Sequence, residues 1–271
     1  MTDMLQRILD HKRHEVAAQK RRLPQSASPA APETPTKDFA AALRAPGLSV
    51  IAEFKRKSPS RGWIAADRSV AEQVRSYARG GAVALSVLTD EHFFGGSPAD
   101  PARAKQASGL AVLRKDFIVD PCQVRESKAM AADAVLLIAA ALDQATLLEC
   151  MHAAAEVGLT TVVEVHDEPE LERAVAAGAG IVGINRRDLR TFHVDLERGL
   201  RLRRLVPAGR LTIAESGVRN RADAEAVYEA GFDAVLVGEA LMQAADPAAL
   251  VRELAVGRAS PRVGRSYGHS P

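Results

Sequence analysis

Eight short apolar runs recur between Ser49 and Glu239, and their regularity limits the possible folds more than any other feature. They read SVIAEFK, AVALSVLT, LAVLRKD, AVLLIAA, TTVVEVH, GIVGINR, RLTIAES and DAVLVGE, and segments with helical periodicity separate them. Their starts lie roughly 25 residues apart, the length of a strand–helix unit. The runs are continuously apolar rather than alternating, so both faces of each strand must be covered, as in a parallel sheet flanked by helices. The phrases ARGGAVALSV, AVAAGAGIVGI and YEAGFDAVLV each end a helix on glycine before entering a strand; glycine there makes the left-handed turn at little steric cost. Eight such units in a row predict an α/β protein with a closed (βα)8 TIM barrel rather than an open doubly wound sheet.

The flanks differ in character. Leu5, Ile8, Leu9 and Val16 recur at helical spacing, which predicts an amphipathic helix from Met4 to about Arg22 with a basic, solvated outer face. PQSASPAAPETPT then reads as a linker. The expected organisation is a helix and flexible linker over 1–36, a barrel over 37–256, and a disordered basic tail over 257–271. A net charge of +2 and 4% aromatic residues give neither an electrostatic footprint nor stacking platforms for nucleic acid. Cys122 and Cys150 lack the spacing of a disulfide framework or zinc site, which favours a reduced compartment. With no secretory h-region and no apolar run of membrane length, the expectation is a cytoplasmic protein without membrane or nucleic-acid partners.

In such a barrel, sites lie at the carboxyl ends of the strands. Those ends carry Glu53 and Lys55, Lys115, Glu164, Asn185, and Glu215 with Ser216. On period-2 counting Glu53 and Lys55 follow Ile51, Lys115 follows Leu113, Glu164 follows Val162, Asn185 follows Ile181, and Glu215 follows Ile213. Any one of these charges could turn out to solvent, but five strands together point to a polar crown on an apolar barrel interior. Lysines among carboxylates in a water-poor mouth perturb one another's pKa, the condition for an acid and a base to coexist. For Glu164, burial and the lysines act in opposite directions; if it serves as a base, activity should fall at acid pH as it protonates. Gly217 and Gly238, after the seventh and eighth runs, suit a phosphate site or simply tight turns. His92, His166 and His193 are too scattered for a metal set. Trp63 either packs or covers an aromatic substrate, and FGGS from Phe94 reads as a flexible loop.

The segments VIAEFKRKSPSRG, ALSVLTDEHFFGGS, VLRKDFIVDPCQV, VVEVHDE, GINRRDL, IAESGV and VGEALM resemble, in order, the signature segments of the indole-3-glycerol phosphate synthase family. The resemblance spans Leu5 to Leu254, and E-x-K-x-x-S-P-S with L-R-K-D-F is specific to it. It implies closure of 1-(2-carboxyphenylamino)-1-deoxyribulose 5-phosphate to an indole with loss of carbon dioxide and water, a step of tryptophan biosynthesis. It implies no cofactor or metal, a phosphorylated small-molecule substrate, and says nothing of contact with other enzymes of that pathway. By position, Lys115 matches the general acid, Glu164 the base, and Glu53 with Lys55 the pair that positions substrate and assists proton transfer. Asn185 and Glu215 match residues that orient the intermediate, and Arg187 the partner of the substrate carboxylate. Ser216, Gly217, Gly238 and Glu239 match the phosphate-binding turns, with Ser58 and Phe117 bordering the site. Cys122 stands where an aromatic residue is expected and Glu239 where serine is frequent, so Glu239 should turn its side chain away from a phosphate. Two other readings are a Schiff-base aldolase using Lys115 or Lys55, and a phosphate-ligand binding protein without catalysis.

Overall fold

A computed structural model describes residues 4–22, 35–59, 61–187 and 194–257. The expected linker falls mostly at 23–34 and nearly all of the tail at 258–271, outside the described residues. All eight runs form strands: β1 (Ser49–Phe54), β2 (Ala84–Leu88), β3 (Ala111–Lys115), β4 (Ala134–Ile138), β5 (Thr160–Val165), β6 (Ile181–Asn185), β7 (Leu211–Glu215) and β8 (Ala234–Val237). Each pairs in parallel with its sequence neighbours, and β1 pairs with both β2 and β8, closing the barrel.

The strand period of two divides the core into two layers. Ile51, Leu113, Leu136, Val162, Ile213 and Leu236 pack together inside the barrel, while Val50, Ala52, Val112, Val135, Val163 and Val235 pack outward beneath the helices. One short element was not evident from sequence periodicity. Helix Phe39–Leu43, capped by Asp38 Oδ1 accepting from the Ala41 amide at 2.8 Å, sends the fully buried Phe39 and Leu43 into the inner cluster. The interior is thereby packed from below, and the mouth at the carboxyl ends is left for polar groups.

Helix α1 (Met4–Arg22) is present with the expected bounds and lays Ile8, Leu9 and Val16 against the barrel. Contrary to the solvated basic face expected from sequence, not all of its basic residues face solvent. Lys12 is only 2% exposed, and its Nζ lies 2.9 Å from Glu15, 3.0 Å from Asp90 and 3.1 Å from Asp116. Four residues after Ile8 and four before Val16, it sits within the apolar stripe. Burial alone would lower its pKa, but Asp116 and Asp90 outweigh that and raise it. Asp116, opposed by burial, is held down at about 2 by Arg114 and Lys12. Removing one member of a buried ion cluster costs about 3–5 kcal/mol because the others stay buried. Lys12→Met should therefore make the amides of α1 exchange with deuterium about 10²-fold faster or more, with the barrel strands unaffected. Unchanged exchange in α1 would show that its apolar stripe alone holds it.

Two smaller expectations are corrected. Trp63 sits on a short antiparallel pairing of Lys57–Ser58 with Gly62–Trp63 and is 60% exposed; its ring packs locally against Gly95 and Lys57 and does not line the cavity described below. FGGS is not a free loop at its start: Phe94 closes helix Glu91–Phe94, whose N-cap Asp90 accepts from the Phe93 amide at 2.7 Å, and the Gly96 amide returns to the Asp90 carbonyl at 2.8 Å.

Candidate active site

The strand ends bring the polar crown into one constellation. Lys115 Nζ, at the end of β3, lies 2.8 Å from Glu164 Oε2 on β5 and 3.4 Å from Glu215 Oε2 on β7. Asn185, ending β6, donates from Nδ2 to Glu164 Oε1 at 3.1 Å. Its own Oδ1 accepts from Ser216 Oγ and the Arg187 amide, both at 3.0 Å. Across the mouth Lys55 Nζ stands 2.9 Å from Glu53 Oε1, and Glu53 Oε2 accepts from Ser86 Oγ at 3.2 Å.

Two glycines make room for these carboxylates. A Cβ at Gly183 would come within 2.2 Å of Glu215 Oε1, and one at Gly238 within 2.4 Å of Glu53 Oε1. Glycine weakens a strand interior, and its presence in β6 marks a close approach. Gly238, expected from sequence as a phosphate contact or a turn, thus has a second reason to lack a side chain.

Burial of three carboxylates with two lysines decides the balance that sequence left open. Burial would raise the pKa of Glu164, but Lys115, His166 and Asn185 outweigh it and hold this carboxyl down at about 2. Glu215 is pushed up to about 8, first by burial and then by the neighbouring charge of Glu164, with Lys115 opposing. Lys115 is raised above its ordinary value: burial opposes its charge, and Glu164, Glu215 and Glu53 together prevail. Near neutral pH the mouth therefore offers an ammonium donor, an ionised carboxylate against it, and a second carboxyl that keeps its proton.

Above this floor is a cavity of about 440 Å³. The sequence-derived Glu53, Lys55, Lys115, Glu164, Asn185 and Glu215 all line it, as do Ser58, Phe117, Arg187, Ser216, Gly217, Gly238 and Glu239. Ser216 holds a left-handed φ of 62° and Gly217 one of 82°, so the chain doubles back directly after β7. Glu239 turns to Arg61, 2.9 Å away. Phe94 and Phe117 stand with ring centroids 5.8 Å apart. Met4, Leu5 and Ile8 of α1 also line the cavity; sequence reasoning did not place His166 beside Glu164 at 3.4 Å. The signal for His166 was present, since it continues the inward phase of Val162 and Glu164. Among the described residues, no group of three or more His, Cys, Asp or Glu side chains is arranged to hold a metal ion; His193 lies outside them.

Fold and site together define a (βα)8 barrel with a cluster of buried lysines and carboxylates at its mouth. The chain belongs to the indole-3-glycerol phosphate synthase family, whose model matches residues 5–254. It is 52% identical over 225 residues to indole-3-glycerol phosphate synthase 2 of Streptomyces coelicolor, covering 83% of this chain and 87% of that one. It is 46% identical over 259 residues to the indole-3-glycerol phosphate synthase of a Parafrankia species, covering 95% and 97%. Among solved structures, 3-hexulose-6-phosphate synthase from Salmonella typhimurium shares the barrel at a TM-score of 0.63 and 17% identity, over 77% of this chain and 97% of that one.

Proposed function

We propose that the cavity binds 1-(2-carboxyphenylamino)-1-deoxyribulose 5-phosphate and converts it to indole-3-glycerol phosphate, carbon dioxide and water by general acid–base catalysis. The observation that carries this is the 2.8 Å contact between Lys115 and Glu164 on the cavity floor. Lys115 protonates the ketone oxygen as the aryl carbon attacks, and Glu164 takes the methylene proton after the hydroxyl has left. Glu215, keeping its proton to about pH 8, donates a hydrogen bond to the intermediate, and Asn185 steadies Glu164. Glu53 and Lys55 position the substrate from the opposite wall. Arg187 takes the substrate carboxylate, and Ser58 and Phe117 border the ring. The doubled-back turn at Ser216 and Gly217, with Gly238, offers backbone amides to the phosphate. Glu239, held by Arg61, contributes no side chain there.

The electrostatics favour this over the aldolase reading. A Schiff-base lysine needs a lowered pKa to be a free amine, whereas Lys115 is raised. A purified preparation in the presence of a chelator should form indole-3-glycerol phosphate from the substrate, and borohydride should trap no lysine adduct. Absence of product, or a stable adduct, would overturn the assignment. Among the described residues no helix is long and apolar enough to cross a membrane, and both cysteines are free thiols. Action in the cytoplasm on a small phosphorylated molecule belongs to the same proposal.

A further inference from the structure

We propose that His166 is the proton reserve for this site: its imidazolium, oriented by Glu170, recharges Lys115 through Glu164 between ring closure and loss of the hydroxyl. The inference rests on the reaction proposed above, whose proton balance requires such a reserve. A substrate carboxylate leaves as carbon dioxide, and the ketone oxygen leaves as water carrying two protons. One of those is matched by the methylene proton removed to complete the indole; the other is a net uptake from solvent. Order matters as well. Lys115 gives its proton at ring closure, and Glu164 gains the methylene proton only after hydroxide has departed. Something else must therefore recharge the lysine in between.

The geometry supplies a candidate on the buried side of the pair. His166 Nε2 lies 3.4 Å from Glu164 Oε1, and Glu164 Oε2 lies 2.8 Å from Lys115 Nζ. On the far side Glu170 Oε2 accepts from the His166 amide at 2.8 Å and stands 3.1 Å from Nδ1. Glu170 thus fixes the ring with Nε2 facing Glu164. Nε2 is buried and, among the described residues, has no hydrogen-bond partner within normal range, as expected of a donor whose contact tightens only during the reaction. His166 directly follows β5, and the groups facing its ring are Glu164 on that strand, Glu170 on the helix Glu168–Ala176 and Lys115 on β3. Burial and Lys115 disfavour its charge, and the two carboxylates outweigh them. In the step itself, the Nε2–H bond breaks as a proton passes to Glu164, and Glu164 passes one to the neutral amine of Lys115. The neutral imidazole regains a proton from water after turnover.

The test compares His166→Gln and Glu170→Gln with the wild type in single turnovers, following carbon dioxide and indole against pH. For His166→Gln we expect carbon dioxide release at the wild-type rate, indole formation slower on the order of 10–10²-fold, and loss of the alkaline limb governed by the imidazolium. Glu170→Gln should keep near-wild-type rates at acid pH but lose activity at lower pH than the wild type, because the imidazole loses the carboxylate that keeps it charged. Glu215 also titrates, at about 8, but among the described residues Glu170 contacts His166 and Glu215 contacts Lys115, so its limb should stay in place. Wild-type indole formation in His166→Gln, or an unmoved limb in Glu170→Gln, would overturn the proposal and leave the second proton to Glu215, which lies 3.4 Å from Lys115, to Lys55 or to water. A wild type that forms no indole would instead overturn the reaction itself.

Discussion

Lys115→Met is expected to lower kcat by about 10²–10⁴ with little change in binding at the phosphate end. Methionine keeps most of the length of the side chain and removes only the ammonium group. The loss has two sources. The ketone oxygen no longer receives a proton from a group on the cavity floor, and Glu164 loses the cation that outweighs its burial. Its pKa then rises, and the base is partly protonated in the variant. The two losses are therefore not independent, and adding Glu164→Gln to Lys115→Met should cost little more than Lys115→Met alone. Retention of more than about a tenth of wild-type kcat, with ring closure limiting in both proteins, would remove Lys115 from the acid's role.

The crown was legible in sequence because it depends on local facts. A strand's faces alternate, so Leu113 inside the barrel puts Lys115 inside, and Val162 does the same for Glu164. Equally local were the glycine-ended helices and the apolar periodicity of α1. What escaped depends on partners distant in sequence. Lys12 looked like one more lysine on a basic helix, and only folding brings it to Asp90 and Asp116. Gly183 carries no local signal of its role, which comes from the carboxylate of Glu215 lying against it. In sequence His166 is one of three scattered histidines, and its inward phase gains meaning only from the 3.4 Å that separates it from Glu164. The sign of the Glu164 shift could not be read from composition, because burial and two lysines compete and their distances decide the outcome.

That sign changes the expected pH behaviour. A carboxyl held at about 2 stays ionised through the whole range in which activity would be measured, so Glu164 should produce no acidic limb near neutral pH. This replaces the sequence expectation that activity falls at acid pH as this group protonates. Glu164→Gln keeps the shape and removes the charge, and kcat should fall by about 10²–10⁴ with binding little affected. The neighbouring Glu215, relieved of one of the charges that raise its pKa, should ionise at lower pH in this variant. Lys115 then pairs with Glu215, so ring closure and decarboxylation remain possible while removal of the methylene proton does not. The direct measurement is a rapid-quench single turnover of Glu164→Gln that follows carbon dioxide and indole together. The assignment of Lys115 as acid and Glu164 as base predicts a burst of carbon dioxide well ahead of indole, with a dehydration intermediate accumulating between them. Carbon dioxide and indole appearing together at the wild-type rate would contradict it and leave Glu53 or Glu215 as the base.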